Sequence, residues 1–179
     1  MTVILAHGDR PTRGEALKLL QSAARVIECE VDIGDGDSGA PKIIDPDQET
    51  NDLEKAYKLA LKDPNHGEII VLGATGQRED HTLGNIFRCL EWGVDIVSDF
   101  GRFHYIKPST PLHLYMAKKQ GVSIFTPYPD AKMTSSGLEW PLDNVKFRNL
   151  YCATLNRATG PSVTVTSTRP AYLYLAYDI

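Results

Sequence analysis

Two aspartates, Asp35 and Asp37, stand one residue apart in the run Gly34-Asp35-Gly36-Asp37-Ser38. In an extended turn alternate side chains share a face, so both carboxylates can meet one cation. The intervening glycines let the backbone approach a ligand closely. Hard cations such as Mg²⁺ take carboxylate oxygens and are commonly shared with substrate phosphates. Asp and Gly are also ordinary turn residues, so the pair alone leaves both readings open. A second oxygen-rich run, Asp47-Gln48-Glu49-Thr50-Asn51-Asp52, precedes a helical pattern. There Asp52 can join the aspartate pair around a metal, while Thr50 or Asn51 caps the helix.

A third constellation is Gly73-Ala74-Thr75-Gly76-Gln77-Arg78-Glu79-Asp80-His81, between an apolar strand pattern and a helix. Ligands of open α/β sheets collect at the carboxyl ends of strands. Backbone N–H groups at a helix start suit phosphate, so Thr75 and Gly76 are candidates to border one. Arg78 can fork onto phosphate oxygens. Asp80 and His81 can orient substrate or relay a proton; Asp80 can also simply cap the helix. Further on, Ser136-Gly137-Leu138-Glu139-Trp140-Pro141-Leu142 carries an indole that suits a core position or a flat wall for a cationic or heteroaromatic ligand. On residue type alone, the core position is the expectation.

These residues need elements to position them. Apolar runs at 3–6, 25–29 and 68–72 read as strands, and 31–33 and 42–44 as shorter ones. Helical spacing covers 14–24, 51–61 and 80–92. Alternation of this kind predicts a parallel sheet with covering helices. After about residue 95 only short strand patterns follow, at 95–98, 103–106, 122–126, 132–135, 146–150, 162–168 and 172–177. The expected fold class is therefore α/β plus all-β: an N-terminal Rossmann-like parallel sheet with helices, then a C-terminal antiparallel β-sandwich. Pro108 and Pro111 mark the division, giving domains at 1–107 and 108–179. One place is awkward. Residues 25–30 run straight into 31–33, whereas neighbouring parallel strands need a crossover of about a dozen residues. Either one long strand spans both, or the crossover is missing.

The chain has 179 residues, 42% of them hydrophobic, with a net charge of -4. An acidic balance excludes a broad nucleic-acid footprint, which needs a basic face. No apolar run is long enough to cross a bilayer, so no membrane partner is expected. Cys29, Cys89 and Cys152 form no zinc-type spacing and are expected as small packing residues in a reducing, cytoplasmic setting.

Taken in order, IGDGDS, DQETNDLEKA, GATGQREDHTLGN and SGLEWPLDN resemble the thiamine pyrophosphokinase family. The resemblance reaches from VILAHGDRP at the start to the final strands. It implies an α/β nucleotide domain and a thiamine-binding β-sandwich, acting as a homodimer with sites shared between subunits. It also implies Mg²⁺-dependent transfer of pyrophosphate from ATP to the thiamine hydroxyl, giving thiamine diphosphate and AMP. By resemblance, Asp35, Asp37 and Asp52 fall on the family's metal and phosphate acids. Gln48 falls on its nucleotide-side glutamine, Arg78, Asp80 and His81 on its RxDH segment, and Trp140 on its thiamine-stacking tryptophan. Ser136 and Asn156 are expected beside the thiamine. Gln77 stands where many members carry glycine, and Leu155-Asn156 replaces a Ser-Asn pair. Two other readings use the same residues: a DxD-type nucleotide-sugar or nucleotidyl transferase, and a thiamine or nucleotide sensor without turnover.

Overall fold

A computed structural model describes residues 1–29, 50–143, 145–150 and 152–177. Four strands build its first part: β1 (Thr2–Leu5), β2 (Arg25–Glu28), β3 (Ile69–Leu72) and β4 (Asp95–Val97). They pair in parallel in the order β2-β1-β3-β4. All four residues of β1 and of β3 are buried. Strands covered on both faces read as continuous apolar runs, as TVIL and IIVL do.

Helices α1 (Gly14–Ser22), α2 (Asp52–Leu61) and α3 (Glu79–Trp92) cover this sheet. Ala16 of α1 packs with Val3, Leu5, Ile70 and Leu72 on one face. On the other face Leu53, Ala56 and Ala60 of α2 and Cys89 and Leu90 of α3 pack with Ile4 and Val71. The helices end where local chemistry dictates. Asn51 caps α2, its side chain accepting from Glu54 N at 2.8 Å. Gly93 ends α3 with φ 71, a left-handed conformation that suits glycine. Tyr57 of α2 stacks on Trp92 of α3 at 4.2 Å, and Arg88 of α3 reaches Glu54 of α2 at 2.8 Å. Both contacts advance in the same direction, so the two helices run side by side and parallel.

The remaining strands are β5 (Gly101–Ile106), β6 (Leu112–Tyr115), β7 (Gly121–Phe125), β8 (Met133–Ser136), β9 (Asn156–Arg157), β10 (Ser162–Ser167) and β11 (Ala171–Ala176). β5, β11, β7 and β9 continue the first sheet with antiparallel pairing, making one mixed sheet of eight strands among the described residues. A separate antiparallel sheet, β6-β10-β8, packs over this extension. Ile106, Val122 and Ile124 meet Met133, Val163 and Val165 in the shared core. Tyr172 of β11 sits instead in the core beneath α2 and α3 and donates its hydroxyl to Val94 O at 2.6 Å. The last strand of the chain thereby ties the two halves together.

Three expectations are corrected here. Residues 146–150 form no strand: Phe147 is buried in the second core, but from irregular chain. β6 forms where no strand was expected, because Leu112 and Leu114 are only half-buried and alternate with exposed His113 and Tyr115. Cys89 is buried as a packing residue should be, yet Cys152 is exposed. β2 ends at Glu28, and the strands expected at 31–33 and 42–44 lie outside the described residues.

Candidate functional site

The turn after β3, residues 73–78, carries the first group. Gly73 has φ 63, and a Cβ there would fall 2.7 Å from Ala6 O, so only glycine lets the turn lie against the end of β1. Asp9 N donates to Thr75 O at 2.8 Å, and Asn85 Nδ2 of α3 donates to Ala74 O at 3.0 Å. Arg78 N donates back to Gly76 O at 2.7 Å, closing a tight turn with Gln77 at its centre. Gln77 has φ 58, which explains why glycine suits that position; its Nε2 compensates by donating to Gly8 O at 3.0 Å.

At the tip of that turn Arg78 Nε and Nη2 fork onto Asp80 at 3.1 and 2.6 Å. Asp80 also accepts from His81 N at 2.9 Å. The hydrogen bond from Arg78 holds the Asp80 carboxyl down at about 2, with the His81 N–H and the Arg78 charge adding to it. Arg78, Asp80 and His81 are all exposed in the first turn of α3 or just before it, and Thr75 and Gly76 are half-buried behind them. A carboxyl so acidic is a poor proton acceptor. In this arrangement its two oxygens hold the guanidinium in one plane.

Asp52 opens α2, just after the capping Asn51. Its carboxylate is half-exposed and lies 3.8 Å from Lys55 Nζ. It also lies near Cys29 at the end of β2: burial pushes the Cys29 thiol up to about 12, and the Asp52 charge adds to the shift. Among the described residues no group of three or more His, Cys, Asp or Glu side chains could hold a metal ion. As a donor Asp52 suits Mg²⁺, being a solvent-reachable hard oxygen. Asp35, Asp37 and Gln48 lie outside the described residues.

The second group lies on the other half of the chain. Ser136 ends β8 and is exposed. Gly137 follows with φ 80, and a Cβ there would fall 2.2 Å from Ser162 O, so the chain can turn here only with glycine. Trp140 is 53% exposed, which corrects the expectation of a core aromatic. Asn156, at the start of β9, is buried and spends its amide on the Trp140 backbone. Trp140 and Asn156 are thus neighbours in one corner, and Ser136 stands earlier on the same segment as Trp140. No hydrogen bond or ion pair among the described residues joins this corner to the Arg78 turn.

One buried polar atom without a hydrogen-bond partner among the described residues is His7 Nε2, just past the end of β1. No spacing rule singles it out, because an isolated histidine after a strand carries no signature.

Comparison with known proteins follows the same division of the chain. Residues 22–96 match the family model described as thiamin pyrophosphokinase, catalytic domain, and residues 101–174 match thiamin pyrophosphokinase, substrate-binding domain. A protein of Oryza sativa subsp. japonica named thiamine pyrophosphokinase 1 is 33% identical over 114 residues, 55% of this chain and 42% of the rice protein. The match thus spans less than half of that relative. Among solved structures, thiamine pyrophosphokinase from Bacillus subtilis superposes with a TM-score of 0.67 at 20% identity, covering 100% of both chains. Thiamin pyrophosphokinase from Candida albicans gives 0.77 at 13% identity, covering 98% of this chain and 90% of that one. At such identities the likeness speaks for the fold. With the two family models tiling most of its length, the chain belongs to the thiamin pyrophosphokinase family.

Proposed function

We propose that the protein is an ATP:thiamine pyrophosphotransferase. The thiamine hydroxyl oxygen attacks the β-phosphorus of ATP in line. The new O–P bond forms as the bond to the α–β bridging oxygen breaks, and AMP departs with the electron pair. The observation that carries this reading is the pair of family matches, catalytic then substrate-binding, laid end to end along one chain.

Little covalent work falls to the protein in such a transfer; positioning and charge stabilisation dominate. Arg78 supplies the guanidinium for the transferring oxygens, and Asp80 holds its fork in one plane. Thr75 and Gly76 border the phosphates, with His81 on the nucleotide side and Gln48 expected beside it. Asp35, Asp37 and Asp52 are the carboxylates that would hold Mg²⁺, which when bound offsets the charge of the polyphosphate. Asp37 and Asp80 are the two candidates to accept the hydroxyl proton, and the depressed carboxyl of Asp80 favours Asp37. Trp140 offers its exposed indole to the thiazolium, a permanent cation, with Ser136 alongside. Asn156 acts through Trp140 rather than directly.

In fold terms the first half is Rossmann-like and the second a β-sandwich, in keeping with the parallel order β2-β1-β3-β4 and the second sheet packed on the extension. A homodimer that sets one copy's Trp140 corner against the other's Arg78 turn would explain why no bond joins the two within a chain. Among the described residues no helix is long and apolar enough to cross a membrane; a cytoplasmic enzyme is the reading we adopt.

The test is AMP release from ATP with and without thiamine and Mg²⁺. Thiamine-dependent AMP with stoichiometric thiamine diphosphate supports the proposal. Saturable thiamine binding without AMP, or release of a nucleoside diphosphate, removes it. Asp35→Asn should abolish turnover while leaving the melting temperature close to wild type.

A further inference from the structure

A concavity opens on the outer face of the sheet β6-β10-β8. Its volume is about 280 Å³, and three stretches line it: Ser109 from the loop between β5 and β6, Lys132–Thr134 entering β8, and Thr166–Thr168 leaving β10. β8 and β10 pair Thr134 with Thr166 and Met133 with Ser167. Met133 and Ser167 are buried, so their alternate neighbours Lys132, Thr134, Thr166 and Thr168 belong to the opposite, outer face. Ser136 stands at the far end of β8, about 10 Å from Met133, so this place is separate from the Trp140 corner.

Backbone bonds hold the walls in place. Thr168 N donates to Lys132 O at 3.0 Å, and Lys132 N donates to Thr168 Oγ1 at 3.0 Å. Ser109 N donates to Ser167 O at 2.7 Å, and Thr110 N to Lys107 O at 3.1 Å. Pro108 and Pro111 flank that loop with fixed φ. Ser109 itself has φ 59, a conformation that a serine keeps only where its surroundings hold it. Ser167 spends its hydroxyl on Arg169, donating to the carbonyl at 2.7 Å and accepting from the N–H at 3.2 Å. The hydroxyls of Ser109, Thr134 and Thr166 make no hydrogen bond among the described residues. Thr168 Oγ1 only accepts, so its proton is available to a ligand.

The chemistry of the lining selects an anion. Its polar side chains are hydroxyls and one ammonium, and no carboxylate lines it among the described residues. Asp130, the nearest acid in sequence, is held by Arg169 at 2.5 Å. Lys132 has no ion-pair partner among the described residues. A cation would meet the like charge of Lys132, and a neutral polyol would leave the ammonium unpaired. An oxyanion accepts from the ammonium and the hydroxyls together. The donors come from three separate segments, which suits oxygens set tetrahedrally better than a flat carboxylate. We propose that this concavity is an oxyanion site for a phosphate group, free or as a small monoester, with Lys132 as its charge partner and the hydroxyls of Ser109, Thr134, Thr166 and Thr168 as donors.

The test is calorimetric titration of the full chain with inorganic phosphate and with methyl phosphate at constant ionic strength. Arg78→Ala supplies the background in which the turn after β3 contributes least. Saturable phosphate binding should persist there. In that background Lys132→Gln should weaken it about tenfold, and Lys132→Arg should keep it within about threefold. Lys132 is exposed, so its variants should keep the wild-type melting temperature. Methyl phosphate that binds as tightly as phosphate identifies the occupant as a monoester, and weaker binding identifies it as free phosphate; both uphold the site. Absence of saturable binding in Arg78→Ala overturns the inference, and so does binding that Lys132→Gln leaves unchanged. Neither readout depends on turnover, so the outcome is independent of the pyrophosphotransferase reading.

Discussion

Asn156 grips Trp140 by both polar groups of its backbone: Nδ2 donates to the Trp140 carbonyl at 2.7 Å, and Oδ1 accepts the Trp140 N–H at 3.1 Å. The same oxygen accepts from Arg157 N at 2.8 Å. A buried amide thus fixes the backbone of an exposed indole. Asn156→Ala should leave that backbone unsatisfied and cost about 1–3 kcal/mol of stability. It should also raise KM for thiamine more than KM for ATP. Trp140→Ala removes the stacking face, worth roughly 0.5–2 kcal/mol, and should weaken thiamine binding with little loss of stability. Denaturant melts and paired KM measurements check both, and equal loss for the two ligands counts against the stacking role.

Arg78 and Asp80 form the second linked pair. Arg78→Ala should lower AMP release by about 10²-fold, in line with loss of one charge-stabilising donor. Arg78→Lys should recover little of it, since the fork is lost. Asp80→Asn keeps the shape but loosens the guanidinium. It should reduce kcat without creating a new acidic limb in the pH profile, because a carboxyl near 2 does not titrate in the working range. A shift of that limb in Asp80→Asn would return Asp80 to a proton-transfer role.

Asp95 links stability to pH. Burial pushes its carboxyl up, but hydrogen bonds from His104 and Tyr105 N and the charge of Arg102 outweigh this, and the net direction is below 3.8. Its Oδ2 lies 2.7 Å from Arg102 Nη2, with both side chains largely buried. A depressed folded value means that the contribution is complete above the unfolded value and is lost as pH falls through the folded one. Melting curves should therefore decline below about pH 4 for the wild type, and less steeply for Asp95→Asn. At neutral pH that variant should be less stable by about 3 kcal/mol, because among the described residues Arg102 keeps Glu15 at 2.6 Å and a distant Glu68.

Leu155 has φ 59 and is 83% exposed. A leucine gains nothing there and carries the strain of the left-handed region, about 1 kcal/mol. Leu155→Gly should relieve the strain but loosen the unfolded chain, whereas Leu155→Asn should relieve part of it without that entropy cost. We expect Leu155→Asn to raise stability by about 0.5–1 kcal/mol, measured by denaturant midpoint. A lower midpoint would mean that the leucine makes a contact in the assembled protein.

The sequence by itself determined the elements of the first half and the local chemistry of the turns. Helical spacing, a capping Asn51 and the unbroken apolar runs of β1 and β3 are local signals, and local rules read them. The glycine-rich turn and its Arg78-Asp80 pair were legible for the same reason. Tertiary structure alone decided that β11, from the far end of the chain, joins β5 and carries Tyr172 into the core under α3, because strand pairing across that distance leaves no periodic trace. It also decided that Trp140 faces outward and that Asn156 serves it from 16 residues away. Exposure and hydrogen-bond partnership are relations between distant segments, and no single segment encodes them.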